Sequence, residues 1–148
     1  HESKDGVTYD FNRRSIYLPV IRNHLFGMFM LFDYADASVL NGDRSSTTVA
    51  PQALFLLNSH LVEDASQRMA DTILNQTALS PEQKLQQLIL KAYGRSPSKM
   101  EINRLLQFLD EMERDLQSEE PDSVKRINRA WQVFCQSIFA SSEFIYLR

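Results

Sequence analysis

The side chains that could do chemistry in this chain are few, and their spacing decides how far each can be taken. Haem held through thioethers needs two cysteines ahead of a histidine, and the chain has only Cys135. One thiol makes no internal disulfide and no thiolate metal site by itself. Cys135 lies in an apolar helical pattern and reads as a small buried hydrophobe rather than a reactive group. His24 and His60 fall on different helices, without the i, i+4 spacing that brings two imidazoles to one helix face. Met28 and Met30 sit on or beside an apolar stripe, where methionine serves to fill gaps in a core. No metal or cofactor is expected in this segment.

Nucleophiles and acid/base pairs go no further. Ser45-Ser46-Thr47-Thr48 offers hydroxyls, but no glycine-flanked elbow strains one of them into a reactive turn. Such a cluster ahead of a helix serves turn formation and capping. Asp33 and Asp36 are the nearest approach to a glycosidase pair, whose chemistry needs two carboxyls converging from a fixed scaffold. Glu63 and Asp64 are adjacent and leave a helix in different directions. There is no glycine-rich phosphate cradle. The basic residues Arg13, Arg14, Arg22 and Arg44 crowd the N-terminal third, beside a stretch containing Asp33, Asp36 and Asp43. Internal arginine–carboxylate pairing that pins this stretch is the plainer reading. A patch for an anionic ligand or a partner domain is the other. Candidate binding residues are therefore Arg14, Arg22, Asp33 and Arg44, with no catalytic residue assigned.

The elements that would position these groups are mainly helical. Residues 1–12 are polar and read as a loose entry, ahead of a single helical domain over 13–148. Arg13–Val20 is short and rich in β-formers, and Val20 to about Phe32 carries apolar residues at helical spacing. Asp33–Thr48 lacks periodicity and is long for a loop in a compact domain, a length that goes with function or internal tethering. Thr48 can cap a helix with Leu54, Leu57, Leu61, Val62, Met69 and Ile73 on one face, reaching Asn75. Ser80-Pro81-Glu82-Gln83 and Ser98-Lys99-Met100-Glu101 are capping boxes opening two more helices, the first stopped by Gly94. Val124, Ile127, Trp131, Phe134 and Ile138 mark a last long helix. The β-prone tail from Ser142 to Leu147 could pair with Arg13–Leu18 as a minor two-stranded element. The expected class is all-α, a compact bundle of about five helices with a long loop after the first.

Composition sets outer limits. The chain has 148 residues, enough to bury roughly two thirds of its unfolded surface in one core. Its net charge of −3 argues against nucleic-acid binding, which needs a basic face to displace counterions. Between Glu101 and Asp122 eight acids face two arginines, a solvated outer surface by default. No apolar run approaches the length of a membrane span, so membrane insertion is not expected. The chain opens at His1 with no targeting segment, and is expected to be the C-terminal piece of a larger protein.

Several runs also form a recognisable order. They are Arg13-Arg14-Ser15-Ile16-Tyr17-Leu18, Arg22-Asn23, Phe32-Asp33, Ser46 through Ser59, Gly94-Arg95-Ser96-Pro97 with Glu101, and Ser142-Glu143-Phe144-Ile145-Tyr146. Together they resemble the C-terminal domain of unknown function in large planctomycete proteins that often also carry a cytochrome-c-like domain. The family pattern falls here on Arg14, Arg22, Asp33, Arg44, Gln52, Asn58 and Arg95. The chain departs from that pattern at Tyr34-Ala35, where proline is usual, and at Asp43, where a second basic residue is usual. The resemblance implies an exported, extracytoplasmic parent protein with any haem site far upstream, and no established activity to carry over. The expected role is a non-catalytic interaction module packing against other domains of the same chain. The alternatives are a hydrolase using Asp33 or Asp36 on polysaccharide, and a carbohydrate-binding module with a platform built from Tyr34 or Tyr9.

Overall fold

The computed structural model describes residues 14–18, 27–32, 34 and 50–145. Among these residues all regular structure is helical. The chain divides into two compact units, residues 1–52 and 53–148.

In the first unit, Ser15–Tyr17 forms a 3-10 turn, closed by the Tyr17 and Leu18 amides donating to the Arg14 and Ser15 carbonyls. Helix α1 spans Gly27–Leu31. Phe29 on α1 is buried and its ring stacks on Tyr34, with centroids 4.8 Å apart. The side chain of Gln52, itself buried, donates to the Leu31 carbonyl at 2.6 Å. That bond satisfies a carbonyl which the end of α1 leaves without a helical partner.

Helix α2 spans Ala50–Asn58 and α3 spans His60–Leu74. The expected single helix to Asn75 is therefore two. Ser59 between them is extended (φ −79°, ψ 137°), and its hydroxyl accepts from the Val62 amide to cap α3. Side-chain amides also reach carbonyls of α2. Asn58 Nδ2 reaches the Leu54 carbonyl at 2.9 Å, and Gln136 Nε2 reaches that of Leu57 at 2.5 Å.

Helices α4 (Pro81–Tyr93) and α5 (Lys99–Asp115) begin at the expected capping boxes, both closed in each direction. Gly94 ends α4 in the left-handed conformation, φ 70°, which only glycine adopts without strain. A 3-10 turn, Leu116–Ser118, extends α5. Helix α6 (Ser123–Phe139) is capped by Asp122, whose carboxylate accepts from the Val124 and Lys125 amides. Where the tail was expected to extend as a strand, Ser142–Ile145 forms a short helix, α7. Ser141 directs it, since its carbonyl accepts the Phe144 and Ile145 amides and its hydroxyl accepts the former as well. Ser15–Tyr17, the other half of the expected pair, is the 3-10 turn, so no strand pairing occurs among the described residues.

The core of the second unit is built by α3, α4, α5 and α6, with α3 and α6 as the most extensive pair. Ala70 and Ser66 on α3 and Ala130 on α6 are small, which lets neighbouring elements approach closely. Ser66 is fully buried and satisfies its hydroxyl on the Val62 carbonyl at 2.6 Å. Leu85, Leu88, Ile138 and Cys135 are the largest fully enclosed apolar side chains. Cys135 is thus the buried hydrophobe its position implied, and burial pushes its thiol up to about 12.

Candidate functional site

Of the four residues proposed for binding, Arg14 is described. It is exposed, at the start of the 3-10 turn. Arg22, Asp33 and Arg44 lie outside the described residues, as do His24, Asp36, Tyr9, the Ser45–Thr48 cluster and most of the long loop. His60 is exposed on the first turn of α3, with Nδ1 3.5 Å from a Glu63 carboxylate oxygen. Among the described residues no group of three or more His, Cys, Asp or Glu side chains could hold a metal ion. No helix among them is long and apolar enough to cross a membrane. Met30, expected in or beside the core, is exposed, because a five-residue α1 buries only one side of its circumference, and Phe29 takes it. Tyr34 keeps part of its ring in solvent while one face lies on Phe29.

Among the described residues the densest polar constellation forms around Arg95. Gly94 turns the chain sharply at the end of α4 and sets Arg95 beside the start of α5. There the guanidinium donates to both oxygens of Glu101, at 2.7 and 3.0 Å. Its other edge donates to both oxygens of Glu143 on α7, Nε at 2.6 Å and Nη2 at 3.1 Å. Two bidentate carboxylates on one guanidinium use nearly all of its fork of donors. The group also lies over the Tyr93 ring, 5.7 Å from its centroid. Tyr93 in turn bonds the Ser141 hydroxyl at 3.0 Å. Because that hydroxyl already donates to the Ile138 carbonyl, the tyrosine is the donor.

The electrostatics follow from this pairing. The bonds from Arg95 and then from the Ser98 amide hold the Glu101 carboxyl down at about 2. Hydrogen bonds to Glu143 and Glu101 raise the Arg95 guanidinium further above its ordinary range. Glu101 has two tasks, since the same carboxylate accepts the Ser98 amide that opens α5. Spacing alone did not single out this constellation, although Arg95, Glu101 and Glu143 all stand in the recognised runs. A Gly-Arg pair at a helix end, with a glutamate at the third position of the next helix, is the local signal for half of it. The Glu143 half joins residues 48 positions apart and has no local signal.

The described positions of the family pattern mostly hold backbone together. Gln52 satisfies the end of α1, Asn58 bonds back to the Leu54 carbonyl within α2, and Arg95 ties the α4–α5 turn to α7. These are groups that over-determine local geometry rather than converge on a reacting atom.

Residues 1–109 match the family described as "Protein of unknown function (DUF1553)". No curated protein and no solved structure matches the chain.

Proposed function

We infer that this chain, which belongs to the DUF1553 family, is a non-catalytic interaction module that packs against other domains of its parent protein. The observation that carries this reading is an apolar surface on consecutive helices. Leu54 and Leu57, three residues apart on α2, are 59% and 47% exposed, and Leu61 at the start of α3 is 48% exposed. Helix α2 has no charged residue at all, so nothing on it offsets the cost of leaving leucines in water. Exposed apolar groups grouped in this way mark surfaces that bind other protein. The Arg95 constellation supports the same reading. It fixes a turn and a terminal helix, and its guanidinium is saturated with carboxylates.

The resemblance in the recognised runs extends the proposal. On that resemblance the proposed parent is an exported, extracytoplasmic planctomycete protein of the kind that often carries a cytochrome-c-like domain, and this module docks against its other domains. Arg14, Arg22, Asp33 and Arg44 are proposed as further residues for binding a partner or an anionic ligand.

The test is a calorimetric titration of this chain with the separately expressed remainder of the parent protein. Saturable association is expected, weakened at least roughly tenfold by Leu54→Ser with Leu57→Ser, the scale of loss at a buried apolar contact. Absence of association, or association indifferent to both leucines, sinks the proposal.

A further inference from the structure

Helix α7 is an unusual occupant of its place. It is four residues long with none buried, yet it delivers two well-formed contacts. The Glu143 carboxylate takes the Nε–Nη2 edge of Arg95 in a bidentate pair. Phe144, the next residue, sets its ring edge-on against Phe139 at 5.0 Å and 87° while staying 43% exposed. The receiving surface is fixed without α7. Arg95 is oriented by Glu101, which is itself held by the Ser98 amide, and the guanidinium rests on the Tyr93 ring. Phe139 belongs to the last turn of α6. If α7 departs, Arg95 keeps one carboxylate and its position, and presents a ready bidentate edge beside an aromatic ring.

We propose that Arg95, Tyr93 and Phe139 form a recognition site for a partner segment bearing a carboxylate directly followed by an aromatic side chain, and that α7 fills this site in cis. The chemistry of the partner is read from the occupant, because Glu143 takes the Nε–Nη2 edge of Arg95 and Phe144 packs on Phe139, while Tyr93 supports the guanidinium. An exposed ion pair holds weakly and an edge-on aromatic pair adds modestly, so the cis occupant is displaceable. It nevertheless competes at the high effective concentration of a tethered group. The apparent affinity for an outside segment is reduced by the fraction of molecules in which α7 is in place. The inference rests on the interaction-module reading and gives it a ligand class and a built-in competitor.

The experiment is a fluorescence-anisotropy titration of a labelled hexapeptide, Ser-Ser-Glu-Phe-Ile-Tyr, against the full chain and against Glu143→Gln with Phe144→Ala. Removing the competitor is expected to tighten peptide binding by roughly fivefold or more. Replacing the peptide's glutamate with glutamine is expected to abolish that gain, as is adding Arg95→Gln to the protein. A circular-dichroism melt shows whether the doubly substituted chain is folded. If it is not, Glu143→Gln alone carries the same titration. Equal affinity for wild type and variant, indifference to the peptide's carboxylate, or no binding to the folded variant overturns the proposal. Association with the remainder of the parent chain can persist through any of those results, so the failure of this site is distinguishable from the failure of the module reading.

Discussion

The Cys135 thiol ties stability to pH in a way that can be worked through in advance. It is fully enclosed by the α3–α6 core, and burial holds its proton until about pH 12, against an ordinary value of 9.0. Below pH 9 both folded and unfolded chains keep the proton, and the group's contribution is constant. Between pH 9 and 12 the unfolded chain releases it while the fold retains it. Stability therefore falls as pH rises, by about 1.4 kcal/mol per pH unit, for a total of order 4 kcal/mol. The informative quantity is the difference from Cys135→Ala, in which the contributions of all other groups cancel. That variant is expected to start ~1 kcal/mol less stable, through the small void it leaves. It should then lose less with pH, so the two stabilities cross. Urea unfolding at pH 7, 9, 10 and 11 measures this. A second readout is reaction with a disulfide reagent at pH 8. Roughly one native thiol in ten thousand is ionised there, against about one in ten at the ordinary value, and enclosure slows reaction further. Parallel pH profiles for the two proteins, or a native thiol that reacts as fast as the urea-unfolded one, would refute the reasoning.

Two further outcomes follow from the α4–α5 turn. Gly94→Ala meets open space, with no atom within 4 Å of the added methyl, so only the left-handed backbone opposes it. A loss of about 1 kcal/mol is expected in urea unfolding, with the helix content of the fold retained. Glu101 keeps its proton off down to about 2 instead of 4.5, so its stabilising effect is complete above pH 4.5 and drains away as pH falls towards 2. Glu101→Gln should be less stable than wild type at pH 7 and show a shallower acid loss below pH 4.5 in the same assay.

How far the chain could be read depended on how local the causes were. The two capping boxes at Ser80 and Ser98 and the stop at Gly94 each act within four residues, and all three were legible. The long α6 was legible too, because Ile127, Trp131, Phe134 and Ile138 repeat on one face of a helix capped by its own Asp122. The break at Ser59 was not. The apolar spacing runs through it unchanged, and part of what holds it is Gln136, 79 positions away from Leu57. The terminal helix was hidden for a similar reason. Phe144 and Ile145 favour a strand by type, but Ser141 and the distant Arg95 select a helical turn. Periodicity identified Leu54, Leu57 and Leu61 as one apolar stripe and was silent on whether the fold covers it. Of the candidate binding residues, Arg14 stands exposed as a surface group, while Arg22, Asp33 and Arg44 lie outside the described residues. Arg95 emerged as a centre only when residues from three helices were seen together.

The chain has one tryptophan, and α6 sets it in the core, 6% exposed and edge-on to Phe134 at 6.3 Å. That placement gives the molecule a selective optical voice. Emission from Trp131 is expected to be that of an indole shielded from water and to shift to the red when α6 loses its packing. Events confined to the surface, such as the proposed exchange at α7 or docking on Leu54, are expected to leave that emission unchanged. Light from the core thus separates loss of the fold from change at its edges.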